Sequence, residues 1–189
     1  KTLRGPRGAI VMVTQKGLDR DPDMGKKIDR AVFPGMQGGP HDNVTAGIAI
    51  TLKKAQTKEF KNYARQVVLN AHALGKELSA LGFKLVSGGT DNHLLLIDLC
   101  NKNILGKDAA IALEEAGLIV NYNAVPNDPN PPMNPSGIRL GTPALTARGM
   151  GAHEMKQIAK WINEALSSEN KVLSIKAEVR KLCKDFPIY

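Results

Sequence analysis

Four short stretches of the sequence hold residue types that could do chemistry. The first is KTLRGPRG at residues 1–8. A lysine attacks a carbonyl only after its amine has lost its proton, and burial beside other cations favours that loss. Arg4 and Arg7 supply such cations for Lys1. Taken alone, the stretch reads equally as an exposed lysine before a Gly-Pro turn. The second is FPGMQGGPH, residues 33–41, just before a helical segment. Consecutive glycines let backbone N–H groups converge on an anion, and a helix start adds a favourable dipole, so Gly38 and Gly39 form a candidate phosphate cradle. A plain turn is the simpler reading. The third is SGIRLGTPALTARG, residues 136–149, which sets Arg139 inside a short apolar strand. An unpaired guanidinium is costly there, so Arg139 needs an anion, either an internal carboxylate or one carried by a substrate. The fourth is SGGTDNHLLLIDL, residues 87–99, with His93 at a strand entrance, as an acid or base or as a satisfied structural histidine.

The elements that must position these residues follow from hydrophobic periodicity. GAIVMV at residues 8–13 is a short apolar run and predicts a buried strand. Residues 43–55 predict a helix, and the polar QTKE that follows marks a domain boundary. Phe60, Ala64, Val67, Ala71, Leu74, Leu78 and Leu81 recur at steps of three and four, which predicts a long helix over 57–81 ended by Gly82. Strands are expected at 83–86, 94–99, 118–122 and 138–142, with a helix at 107–116 closed by Gly117. The five prolines of residues 125–135 exclude a strand ladder there and predict a loop. Two terminal helices are expected at 152–166 and 172–184.

Composition narrows the class. A chain of 189 residues with 42% hydrophobic content can bury a core. No apolar run approaches the roughly 18 residues that span a bilayer. No charged stretch followed by an apolar one opens the chain, so no secretory signal is visible and a cytoplasmic location is expected. Cys100 and Cys183 form neither a CxxC pair nor a metal-type cluster and read as reduced thiols. The net charge of +8 is spread along helical segments with acidic residues between, and aromatic content is only 4%. Those two facts read against nucleic-acid binding and leave solvated helix faces as the explanation.

Taken in order, KTLRGPRG, FPGMQGGP, SGGTDNHL, NYNAVPNDP and SGIRLGTPALTARG resemble the second half of the serine hydroxymethyltransferases, from Lys1 to about Leu166. The resemblance implies an α/β architecture, the type I fold of pyridoxal-phosphate-dependent transferases. Residues 1–56 would end the large cofactor-binding domain, and 57–189 would form the small C-terminal domain. It implies that Lys1 carries pyridoxal 5'-phosphate covalently and that Arg7 supports the turn around it. Gly38 and Gly39 match glycines that approach the cofactor phosphate of the neighbouring subunit, which implies a homodimer or tetramer with shared active sites. Arg139 matches the arginine that grips the amino-acid carboxylate. Asn123 and the Pro131, Pro132, Met133 stretch match the folate region, where this chain departs from the common Ser-Pro-Phe.

The implied reaction moves the hydroxymethyl carbon of serine reversibly to the cosubstrate tetrahydrofolate, giving glycine and methylene-tetrahydrofolate, a step of one-carbon metabolism and amino-acid biosynthesis. The family's aspartate at the pyridine nitrogen, its ring-stacking histidine and its proton-handling glutamate lie upstream of the position of Lys1. The 189 residues by themselves are therefore expected to be inactive and to need the upstream half of the enzyme. One alternative is another type I aldolase or aminotransferase, which would share the lysine and the carboxylate arginine. A second is a basic binding module without enzymatic activity.

Overall fold

The computed structural model describes residues 2–188, so the cofactor lysine expected at Lys1 lies outside the described residues. The chain divides into two compact units, Lys1–Phe60 and Lys61–Tyr189.

In the first unit, residues 2–14 carry no regular structure. Helix α1 (Gln15–Arg20) starts where the Thr14 hydroxyl accepts the Gly17 N–H at 3.3 Å. Helix α2 (Met24–Arg30), a π-helical turn (Ala31–Met36) and α3 (Asp42–Ala55) follow. The glycines of the opening motif are needed for close approach to α3. A Cβ on Gly8 would stand 2.6 Å from Ile48, and one on Gly47 would stand 2.6 Å from Pro6. Arg4 lies 5.8 Å from the centre of the Phe60 ring.

The helix expected at 43–55 is present as α3, but the strand expected at 8–13 is not. That run pairs with nothing among the described residues, and Ile10, Val11 and Met12 are 66%, 64% and 82% exposed. An apolar run is only a strand when a neighbouring strand takes its backbone hydrogen bonds, and no such neighbour is described here.

The second unit holds a core. Helix α4 (Lys58–Ala80) leads into it, buries Val67, Ala71, Leu74 and Leu78 on one stripe, and ends at Gly82. Gly82 takes φ +80°, and the Phe83 N–H reaches back to the Leu78 carbonyl at 3.0 Å. Strand β1 (Lys84–Leu85) is shorter than expected because Val86–Gly88 coils into a 3-10 turn with Ser87 at φ +58°. Strand β2 (Leu94–Asp98), helix α5 (Gly106–Glu115), β3 (Asn121–Asn123), β4 (Gly137–Gly141), α6 (Pro143–Ala147), α7 (Ala152–Ser167) and α8 (Val172–Asp185) complete the unit.

The sheet order is β1-β2-β4-β3, with every neighbouring pair antiparallel. The segment β2-α5-β3 is thus a crossover whose two strands run the same way with β4 inserted between them. Alternation along the strands points Leu95, Ile97, Ile138 and Leu140 to one face, where they meet buried residues of α4, α5, α7 and α8 in one core. Trp161 sits in that core, and its indole N–H donates to Glu178 at 2.8 Å. The opposite face carries Leu94, Leu96 and Arg139, all half-buried.

Candidate active site

The candidate residues fall into two groups, one inside each unit. In the first unit, Arg7 is exposed on the unstructured opening segment. Gly38 and Gly39 are exposed in the short connection between the π-helical turn and α3. Among the described residues no backbone hydrogen bond outside the helices involves their N–H groups, and a Cβ at either glycine would meet nothing within 4 Å. Two adjacent open donors just before a helix start are the donor chemistry a phosphate group requires, so this segment fits the group the sequence implied.

In the second unit, strand pairing sets the place of Arg139. Arg139 is the central residue of β4, an interior strand, and faces Leu96 on one side and Asn121 on the other. Side chains directly opposite in an antiparallel pair share a face, so Arg139 and Asn121 stand together, with Asn123 one step along. Among the described residues the only polar side-chain contact of the guanidinium is a long one, 3.5 Å from Nη2 to Asn121 Oδ1. Among the described residues no carboxylate forms an ion pair with Arg139; the six pairs present lie elsewhere. Of the two anions the sequence allowed, the internal carboxylate is thus absent. A half-buried fork with free donors remains suited to a substrate carboxylate.

The same face ends in a carboxylate that is neutralised internally. Asp98 is 7% exposed and accepts from Lys84 Nζ at 2.7 Å and from the Cys100 N–H at 3.0 Å. Burial by itself would raise the Asp98 pKa, but those hydrogen bonds outweigh it and hold the carboxyl below its usual range. Lys84 is held above its usual range by the same bond.

The loop between β3 and β4 carries the rest of the candidate residues. Asn123, the last residue of β3 before it, is half-buried and donates to its neighbour's carbonyl, Ala124 O, at 2.8 Å. Pro131, Pro132 and Met133 are exposed at its tip, Met133 by 81%. Asp128 organises the loop. Its Oδ2 accepts the N–H groups of Val125 and Ser136 at 3.0 and 2.9 Å, and its Oδ1 accepts the Asn130 N–H and the Ser136 hydroxyl at 3.0 and 2.7 Å. These bonds, the Ser136 hydroxyl first, hold the Asp128 carboxyl far below the ordinary aspartate range. Asn134 Oδ1 is the one buried side-chain oxygen without a donor among the described residues.

The backbone carbonyl of His93 accepts the Thr142 N–H at 3.1 Å at the mouth of β2 and β4. Sequence reasoning missed Asp128 and also Asn70, which is fully buried on α4 and donates to Thr146 Oγ1 and Met150 O, both at 2.9 Å. A signal for Asp128 was present, since an aspartate bonding the N–H two residues on is a standard turn device in an Asp-Pro-Asn context. Asn70 left none, because its partners are 76 and 80 residues away. No group of three or more metal-ligating side chains occurs among the described residues.

Comparison with known proteins addresses the family. The profile of the serine hydroxymethyltransferase family matches residues 1–162. Serine hydroxymethyltransferase of Acidothermus cellulolyticus is 53% identical over 99% of this chain, and those of Sorangium cellulosum and Phenylobacterium zucineum are each 50% identical over 99% and 100% of it. The chain spans only 43–44% of the length of these relatives. With the family profile covering most of its length, the chain belongs to the serine hydroxymethyltransferase family and has that family's type I fold of pyridoxal-phosphate-dependent transferases.

Proposed function

We propose that this chain is the C-terminal part of a glycine/serine hydroxymethyltransferase, moving the serine hydroxymethyl carbon to tetrahydrofolate. The observation that carries the reading is Arg139: a half-buried guanidinium on an interior strand, without an ion-pair partner among the described residues, on the same sheet face as Asn123. An arginine placed so is made for a ligand carboxylate.

Pyridoxal phosphate, when bound, supplies the electron sink that lets the carbon–carbon bond of serine break. Every other role falls to side chains and backbone of this protein. Lys1 holds the cofactor, Arg7 supports the turn beside it, and the N–H groups of Gly38 and Gly39 serve the phosphate in the neighbouring subunit of a homodimer or tetramer. Arg139 takes the carboxylate of serine or glycine through two parallel N–H bonds and so fixes which bond of the amino acid faces the cofactor. Asn123 and the Pro131–Met133 tip receive tetrahydrofolate.

Residues 1–56 end the large domain, 57–189 form the small one, and the upstream half of the enzyme completes both the site and the cover over the first unit. The 189 residues alone do not turn over. A cytoplasmic location belongs to the same proposal. No described helix is long and apolar enough to cross a membrane.

Borohydride reduction of the whole enzyme followed by peptide mapping tests the reading. Pyridoxyl on Lys1 is the expected result, and label on another lysine or none would end it. An Arg139→Ala change should raise the KM for serine by about tenfold to a hundredfold, the loss expected for a charge-assisted bond. Serine cleavage that ignores tetrahydrofolate would instead favour another type I aldolase or aminotransferase.

A further inference from the structure

The sheet and the loop beside it are held by different devices. Arg139 is placed by the ladder, fixed from both sides by β2 and β3. The loop has no ladder, and five prolines between residues 125 and 135 remove the donors that could build one. A single carboxylate ties its chain together at three points: Val125 just after β3, Asn130 just before the tip, and Ser136 just before β4. The Ser136 hydroxyl adds a fourth bond and is itself tied to Asn130 Nδ2 at 2.8 Å. The Ser136 carbonyl accepts the Leu99 N–H at 3.0 Å, and its neighbour Pro135 accepts the Gly106 N–H at 2.7 Å, so one end of the clasp is anchored to the ends of β2 and α5.

We propose that Asp128 is a positioning residue for the second substrate: its carboxylate sets where the Pro131–Met133 tip stands, and so governs tetrahydrofolate binding, while Asn123 and the amino-acid end are left to the ladder. This rests on the folate reading of the loop given above. The bonds are charge-assisted, and the carboxyl stays ionised because four donors converge on it. In Asp128→Asn the side-chain amide turns one of its two positions into a donor. That position faces either two backbone N–H groups or the Asn130 N–H and a hydroxyl already engaged by Asn130. Either way at least one bond is replaced by a donor facing a donor.

The test uses the whole enzyme, this chain together with the upstream half that its relatives carry. In Asp128→Asn the KM for tetrahydrofolate should rise about tenfold while the KM for serine stays within about twofold. Ser136→Ala, which keeps the three backbone bonds, should show the same split more weakly and guards against loss of folding in the first variant. Hydrogen exchange gives a readout independent of turnover. The amides of Val125, Asn130 and Ser136 should exchange at least about tenfold faster in Asp128→Asn, with Ile97 and Ile138 unchanged. Unchanged loop amides overturn the clasp. Faster loop amides with an unchanged tetrahydrofolate KM, or with both KM values moving together, overturn the positioning role. A wild-type enzyme whose serine cleavage is indifferent to tetrahydrofolate overturns the folate reading and this role with it, whatever the exchange data show about the clasp.

Discussion

The two units handle apolar residues in opposite ways. Every buried residue of the described chain lies in Lys61–Tyr189, where the sheet and four helices close over one core. Within Lys1–Phe60 no described residue is buried, and Ile10, Met12, Phe33, Met36 and Ile50 are all more than half exposed. Burial of apolar surface dominates folding stability. The second unit therefore carries its own folding free energy, whereas the first has helices but little buried surface among its described residues to hold them. The candidate site differs in the same way. Arg139 and the Asp128 loop stand on a paired sheet, while Gly38 and Gly39 stand on an exposed connection with no described side chain packed against them.

The largest expected effect comes from cutting the units apart. Residues 61–189 alone should melt cooperatively, followed by far-UV circular dichroism, and residues 1–60 alone should show no cooperative transition. A cooperative melt of the shorter piece would break the contrast.

Next come single truncations. Ile97→Ala should cost about 2–5 kcal/mol in denaturant unfolding, since Ile97 is fully buried at the centre of the core. Ile10→Ala, at an exposed position, should stay within about 0.5 kcal/mol.

Two glycines sharpen the comparison further. A Cβ on Gly137 would stand 2.5 Å from Val125 and 2.8 Å from the carbonyls of Asn123 and Ile97, so Gly137→Ala should destabilise the second unit by about 1–3 kcal/mol. Gly38→Ala meets nothing and should leave the melting curve unchanged, and a weaker hold on pyridoxal phosphate, read by cofactor absorbance, is its expected effect.

The smallest effect is a pH dependence. Asp98, Asp128 and Glu154 all have carboxyls lowered from their ordinary values. A lowered folded-state pKa stabilises above the unfolded value, near 3.8 for aspartate, and that stability is lost as pH falls through the folded value. The melting temperature of residues 61–189 should thus be flat above about pH 5 and fall below about pH 4. Asp128→Asn should make the acid limb shallower, and an acid limb that keeps its slope in that variant would argue against the loop carboxylate as its source.

Much of the second unit was legible because its signals are local. The three- and four-residue steps from Phe60 to Leu81 placed α4 within a residue or so of its ends, and Gly82 and Gly117 at φ +80° and +84° stopped their helices as expected. Strand β3 was displaced toward Asn121–Asn123. The Leu118 N–H is taken by the Leu113 carbonyl at 2.8 Å in the helix stop, so the ladder begins only after the chain leaves that turn. Helices α1, α2 and α6 were not read, being five to seven residues long and too short for a periodic stripe.

What the sequence determined by itself is the set of chemical groups and their order: a lysine before Gly-Pro-Arg, paired glycines before a helix, an arginine in an apolar strand, and a proline-rich loop beside it. It determined these because residue type and spacing are local properties. Only the tertiary structure decided that β4 inserts between β2 and β3, that Arg139 shares its face with Asn121 and Asn123 and pairs with no carboxylate among the described residues, and that Asp128 gathers three separate points of one loop. The physical reason is that pairing and hydrogen-bond partners are settled by competition among distant segments for the same donors and the same core, and no single stretch contains that information.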